Sequence, residues 1–353
     1  MKSSIRLFTI FGISIQVHIT FFLLLLLVLP GGIKWVFLII AVFFFVTVHE
    51  LCHSLMAQRF GIKVRDITLL PIGGVSSMAK MPEKPVQELL IAAAGPLSNI
   101  VILLVFFFPM KYLIGLGNLF HPLSTKTWSL TLAYVYWVNL ALAGFNLLPA
   151  FPMDGGRILR AILATRMSYR QATKIAVNFG HIFALAFAYF GIIKFNIILL
   201  VVAVFIYMAA SNEELQVEVK ETLKKFRVCD ILPRDFKAVH GDTELAKVLE
   251  LVFHTHQEDF PVVDKAAGGA MTGFITRQDI MKGVHSYGTA AKVSQIMRVK
   301  VPKVRESDSL MKAQAMMHEA GLRALPVFKG NEMAGVITLE DIGRVYAMTS
   351  HTA

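Results

Sequence analysis

Charge is scarce in this chain. Only 17% of its 353 residues are Asp, Glu, Lys or Arg, against roughly 25% in an ordinary soluble domain, while 55% are hydrophobic. The shortage excludes a wholly soluble protein of this length. It is also uneven: charges are thin before about residue 210 and ordinary after it, so a membrane half precedes a soluble half. Cysteine is nearly absent too. Cys52 lies in an apolar run and Cys229 at the start of the polar half, which leaves no disulfide framework and suits a reducing cytoplasm. Missing as well is any basic cluster interleaved with aromatics. The net charge of +11 therefore does not describe a nucleic-acid surface. It fits topology and contact with anionic lipid.

Long apolar runs are what the first half has in place of charge. They cover 13–30, 35–60, 86–108, 128–148, 175–193 and 195–210. A span needs roughly 20 residues, so about six transmembrane helices are expected. The first run is long for the core of a cleaved leader, and no small-residue cleavage site precedes Pro30-Gly31-Gly32. With the N-terminus inside, Lys2, Arg6, Arg59, Lys63, Arg65, Lys80, Lys84, Arg157, Arg160, Arg166, Arg170 and Lys174 all fall on one side. Only Lys34, Lys111, Lys126 and Lys194 fall on the other. That asymmetry predicts a multi-pass protein of the cell membrane with both termini cytoplasmic. Two stretches read as β-structure. Residues 13–18 alternate apolar and polar, and 62–78 are β-branched with punctuation at Pro71 and Gly73-Gly74. Short strands at the cytoplasmic membrane surface follow, and their backbone must be covered by protein or line a polar cavity.

Ionisable residues inside an apolar helix need a reason. Each costs at least ~2.5 kcal/mol at the bilayer centre when charged, yet His49, Glu50 and His53 fall within five consecutive positions. Positions i and i+4 share a helix face, so both imidazoles can address one ion, and Glu50 lies close enough to reach water beside it. This is the HExxH pattern of two zinc ligands and a general base. A set of helix-packing hydrogen bonds is the plainer alternative. A catalytic zinc needs a third protein ligand, and Asp154 is the only Asp or Glu between Glu88 and Glu213. By the topology above it lies at the cytoplasmic end of the fourth span, at the depth of His53. Pro149 and Pro152 break the helix there, and Gly155-Gly156 permits close backbone approach. A helix-terminal cap is its alternative role.

HExxH in one span, followed by Asn146-Leu147-Leu148-Pro149 and Asp154-Gly155 near a later one, resembles the site-2 protease family of intramembrane zinc metalloproteases. The likeness covers the membrane half, including Pro71-Ile72-Gly73-Gly74 and Ala94-Gly95-Pro96-Leu97-Ser98-Asn99. It implies one Zn2+ per chain held by His49, His53 and Asp154. It implies Glu50 as catalytic base and Asn146 as a catalytic residue that holds the substrate backbone or oxyanion. It also implies single-span membrane proteins as substrates, cut within or beside their spans. A transmembrane helix hides its peptide bonds, so it must unwind, and a strand edge within 62–78 is expected to receive it by β-addition. Family members often have Gly where Cys52 stands; a thiol at i+3 from His49 could compete as a ligand, and packing is the plainer reading. His18, His121 and His181 lie outside any ligand pattern and read as polar packing residues. Met311, Met316 and Met317 fit a helix core.

The soluble half repeats itself. Cys229-Asp230-Ile231-Leu232, Phe260-Pro261-Val262-Val263 and Gly273-Phe274-Ile275-Thr276 recur in order 62–65 residues later as Ser294-Gln295-Ile296-Met297, Leu325-Pro326-Val327-Phe328 and Gly335-Val336-Ile337-Thr338. Each unit reads as a strand, an amphipathic helix, two strands and a closing helix. Over roughly 226–348 the chain resembles a tandem CBS-domain pair. That likeness implies an adenine nucleotide bound by Thr276, Asp279, Thr338 and Asp341, or a homodimer formed through the modules. The plainer role for each Thr and Asp is a helix N-cap. The expected organisation is a transmembrane zinc metalloprotease domain at 1–210, a helical linker at 211–225, and CBS modules at 226–288 and 289–350. The fold class is a polytopic α-helical membrane domain with juxtamembrane strands, followed by a soluble α+β pair. The rival function is a CBS-gated transporter or channel. Transporters usually carry internal repeats in the membrane half, and none is visible here.

Overall fold

The computed structural model describes residues 4–350, except 72, 79–83, 121–122, 256 and 265–268. Of the positions named above, Lys2, Ile72, Lys80 and His121 lie outside the described residues. The chain divides into two units, Met1–Leu215 and Gln216–Ala353.

The first unit opens on a hairpin. Strand β1 (Ser4–Ile10) pairs antiparallel with β2 (Ile13–His18). Phe11 and Gly12 make the turn at φ 51° and 79°, the left-handed pair that matches the twist of the flanking strands. His18 ends β2 and caps α1 (Ile19–Val28): its Nδ1 accepts from the Thr20 N–H at 3.3 Å. Helix α2 (Ile33–Arg59) follows, then β3 (Val64–Leu70), which lies parallel to β2. A parallel pair requires a crossover, and α1 with α2 forms it. Strand β4 (Gly73–Met78) turns back antiparallel, giving the order β1-β2-β3-β4. The helix carrying His49 is therefore the return arm of a crossover. Its lower end packs on the sheet in a core that joins Ala57 to Ile13, Ile15, Val64 and Ile67.

Helices α3 (Pro85–Leu119), α4 (Trp128–Asn146), α5 (Asp154–Leu163), α6 (Tyr169–Ile193) and the first part of α7 (Ile197–Lys225) complete the unit. Among the described residues, α2, α3, α4, α6 and α7 are the five helices long and apolar enough to cross a membrane. The apolar stretch Ile19–Gly31 is shorter and at 1.5 Å per residue covers only about 20 Å of a ~30 Å hydrocarbon core. The first of the six expected spans is thus a short helix, because 13–18 belongs to the sheet. Leu23, Leu27, Leu104, Phe108, Leu185 and Ile198 point outward and exposed, an apolar surface suited to lipid. The charged stretch expected as a linker is the C-terminal part of α7, which continues past Leu215 into the second unit.

The second unit holds two copies of one motif. The first runs β5 (Val239–His240), α8 (Leu245–His254), β6 (Phe260–Asp264), β7 (Ala270–Ile275) and α9 (Arg277–Tyr287). The second runs β8 (Val304–Arg305), α10 (Leu310–Ala320), β9 (Ala324–Lys329), β10 (Glu332–Thr338) and α11 (Leu339–Ser350). In each, the first strand pair is parallel and the second antiparallel. Each repeat has its own core, one around Val248, Phe260 and Ile275 and the other around Leu310, Val327 and Ile337. Met317 lies inside the latter, with Met311 and Met316 packed against it.

Candidate functional site

One turn of α2 separates His49 from His53 and brings their Nε2 atoms to 3.0 Å. Asp154 is the first residue of α5, and its Oδ2 lies 3.1 Å from each of those nitrogens. Both histidines are buried, at 4% and 5% exposure. Two imidazole nitrogens and a carboxylate oxygen thus converge on one point. Ligands about 2.0–2.1 Å from a tetrahedral zinc stand roughly 3.3 Å apart, close to the spacing seen here.

The surroundings fit a metal better than a packing cluster. His53 Nδ1 lies 2.6 Å from the carbonyl oxygen of Ile91. A carbonyl only accepts, so the proton sits on Nδ1 and Nε2 presents its lone pair to the centre. The Nδ1 of His49 is buried without a hydrogen-bond partner among the described residues. Gly95 of α3 faces both rings: a Cβ there would stand 2.7 Å from His49 Cε1 and Nε2 and would collide with His53 Nε2. A bare α-carbon is what lets α3 pass this close.

A tight turn delivers Asp154. Helix α4 ends at Asn146, and the chain then folds on itself, with Ala150 N–H donating to Leu148 O at 2.7 Å and Met153 N–H to Ala150 O at 3.0 Å. Gly155 and Gly156 press against that turn. A Cβ on Gly156 would lie 2.5 Å from Ala150 C and Phe151 N, and one on Gly155 would overrun the Leu147 and Leu148 carbonyls. The two glycines therefore admit the fold of 147–153 onto the start of α5.

A cavity of about 670 Å³ opens over the three ligand atoms, and Glu50, Asn146 and Arg157 share its wall with them. Its other side is β4, through Gly73, Gly74, Val75 and Ser76. Gly74 sits against Glu50, since a Cβ there would be 2.7 Å from Glu50 Cγ. In the strand order β4 is an edge, so a strand edge borders the cavity. The two histidines, Glu50, Asn146 and Asp154, all marked by sequence motifs, meet here, and Gly74, Gly95 and Arg157, to which no motif gives a role, stand among them. The signals available were the glycine-containing segments themselves and a guanidinium directly after Gly155-Gly156. The Nε of Arg157 is buried without a partner among the described residues. Cys52 is a free thiol outside the convergent group. His181 bonds Ser211 Oγ at 3.0 Å and stacks on Tyr207.

In the second unit Thr276 and Thr338 both act as caps. Thr276 Oγ1 donates to Asp279 Oδ2 at 2.7 Å and accepts from the Asp279 N–H at 3.2 Å. Thr338 and Asp341 repeat this at 2.7 and 3.1 Å. Their further partners differ. Arg298 grips both oxygens of Asp279, Nε at 2.8 Å and Nη2 at 2.9 Å. Burial pushes the Asp279 carboxyl up, but the bonds from Arg298 and Thr276 outweigh it and hold the group below the usual carboxylate range. Asp341 takes a single arginine bond, from Arg344 Nη2 to its Oδ1 at 2.6 Å, and with Thr338 it lines a cavity of about 600 Å³ that Asp235, Lys237, Gln257 and Arg344 share. Thr276 and Asp279 are not in its wall.

The chain resembles known proteins over its whole length. The model of peptidase family M50 matches residues 37–187, and that of the CBS domain matches 228–286 and 293–347. A zinc metalloprotease of Methanocaldococcus jannaschii is 36% identical over 354 residues, covering 99% of this chain and 97% of that protein. Rip3 of Mycobacterium tuberculosis is 27% identical over 309 residues, 84% of this chain and 77% of that protein. A solved site-2 protease from M. jannaschii is 44% identical and covers 60% of this chain and 95% of its own, with a TM-score of 0.45.

Proposed function

This chain belongs to peptidase family M50, the site-2 proteases, and is an intramembrane zinc metalloprotease; we propose that His49, His53 and Asp154 hold its one Zn2+ and that Glu50 is its general base. The observation that carries the assignment is the convergence of two Nε2 atoms and Asp154 Oδ2 at 3.0–3.1 Å, beneath a cavity that Glu50 lines. When bound, zinc supplies Lewis-acid polarisation of the scissile carbonyl and activation of water. Glu50 accepts the proton of the attacking water and returns it to the departing nitrogen. Asn146, at the end of α4, offers its amide to the peptide carbonyl as negative charge gathers there.

The substrate is a single-span membrane protein, cut within or beside its span after local unwinding. The position of β4 along the cavity supports docking of the unwound segment by β-addition, with main-chain hydrogen bonds replacing those of the helix. The basic asymmetry of the connecting segments supports a cell-membrane protein with both termini cytoplasmic. The working division is a protease domain at 1–210, a helical connection at 211–225 and CBS modules at 226–288 and 289–350. The cavity at Thr338 and Asp341 supports an adenine nucleotide there, with Lys237 and Arg344 for its phosphates. Asp279 is engaged by Arg298 and takes a ribose only when that pair opens. The CBS modules also offer a route to a homodimer.

The test is metal dependence. Detergent-purified protein should carry one zinc per chain and cut single-span test substrates. Chelation should abolish cleavage, and zinc should restore it. Cleavage at the full rate by metal-free protein would overturn the assignment.

A further inference from the structure

Arg160 follows Asp154 by fewer than two turns on α5, and it is the largest fully buried side chain among the described residues, at 2% exposure. Its Nε and Nη2 donate to Glu88 Oε1 at 2.8 and 2.5 Å, and its Nη1 donates to Glu213 Oε1 at 2.7 Å. The rings of Phe151 and Tyr169 stand 4.6 and 4.8 Å from the guanidinium carbon. Stability alone is a poor reason for such a group. A buried ion pair is often no better than well-packed apolar residues of similar volume, while removing one partner is strongly destabilising.

The partners supply a better reason. Glu88 lies on α3 one turn before Ile91, whose carbonyl fixes His53, and two turns before Gly95, which faces both imidazoles. Phe151 belongs to the turn that delivers Asp154. One guanidinium therefore joins the helix that sets the histidine tautomer to the helix that presents the carboxylate. Its attachments are unequal: the Glu88 side chain is 2% exposed and that of Glu213 is 26% exposed. Glu213 sits on α7, the helix that runs on into the second unit, where its Leu223 joins the core.

We propose that Arg160 is a positioning residue that holds Asp154 in register with His49 and His53, and that Glu213 is the adjustable arm of this tether. It acts through Asp154, so it rests on Asp154 being a metal ligand. Arg160 bonds Glu88 and Glu213 and is not in the wall of the cavity over the ligand atoms, and a fixed fork is what the task needs: its donors lie in one plane and hold the helices of those two carboxylates at a set distance, which a lysine ammonium does not.

The experiment uses full-length protein in detergent, stripped of metal and titrated with zinc against a competing chelator, with cleavage kinetics in parallel. Arg160→Met should weaken zinc by up to about 10-fold, less than the full cost of losing a group that hydrogen-bonds a ligand directly, and should lower kcat while KM holds. Arg160→Lys should recover part of both, and Glu213→Gln should weaken zinc less than Arg160→Met. Asp154→Asn is the control. If it weakens zinc while a folded Arg160→Met or Arg160→Lys binds zinc as wild type does, the positioning role is overturned. If Asp154→Asn itself leaves zinc affinity unchanged, the ligand assignment falls and takes the tether with it. Should Arg160→Met not accumulate as folded protein, Arg160→Lys decides alone, because wild-type zinc affinity in it would overturn the need for the fork.

Discussion

The Nδ1 of His53 lies 2.6 Å from the backbone carbonyl of Ile91, so α3 decides which nitrogen of a residue on α2 faces Asp154. A backbone acceptor cannot be removed by substitution, but the approach of α3 can be changed one turn further on. Gly95→Ala should improve helix propensity by roughly 1 kcal/mol. It should nevertheless deplete zinc and cleavage together, because its Cβ enters the space of both imidazoles. Metal analysis against thermal stability separates the two effects. A Gly95→Ala protein with full zinc content would mean that the rings have room to retreat.

His49→Ala, His53→Ala and Asp154→Ala should each reduce zinc below one per chain, measured on protein that still elutes as a folded species. Full zinc and full activity in Asp154→Ala would place the third ligand elsewhere.

Much of the centre was legible in the sequence because the membrane half is so poor in charge. Three ionisable residues within five positions in the apolar body of α2 and a single acid between Glu88 and Glu213 leave few ways to build a site. The 62–65-residue repeat likewise marked the paired modules, since order and spacing survive where individual residues vary. Strand β1 was not foreseen. Ile5, Leu7 and Phe8 are exposed, so no one-sided burial pattern marks the strand, and only the turn at Phe11-Gly12 announces the hairpin. The first apolar run reaches the length of a span only when 13–18, whose alternation already marks a strand, is added to the helix after it. The contacts of Gly95 and of the Arg160 cluster are hidden for a different reason. Their partners are 42–46 and 53–72 positions away along the chain, and no local period connects them.

The soluble unit should lose stability in acid partly through Asp279. Its carboxyl is held below the ordinary range when folded, whereas in the unfolded chain it titrates near ~3.9. As pH falls below about 4 the unfolded state takes up the proton first, so the stabilisation present above that point drains away. Asp279→Asn lacks this loss. Melting temperatures of a 216–353 fragment between pH 5 and 3 should fall more steeply for wild type than for Asp279→Asn. Parallel curves would show that the Arg298 pair contributes no linkage.

An adenine nucleotide should bind the same fragment through the cavity at Thr338 and Asp341. In calorimetry with AMP, ADP and ATP, Asp341→Ala should lose most of the heat, and Asp279→Ala should keep it, because Asp341 lines that cavity and Asp279 does not. No heat and no thermal shift at millimolar nucleotide would leave the modules as a dimerisation device.

The sharpest measurement is cleavage of a single-span substrate by Glu50→Gln. The side chain keeps its size and its place in the cavity wall but cannot take a proton. Zinc should remain at one per chain, the fold should be intact, and the rate should fall by about 10²- to 10⁴-fold, the usual worth of a general base. A Glu50→Gln protein that cuts at the wild-type rate, undisturbed by chelator, would contradict the metalloprotease mechanism at its root.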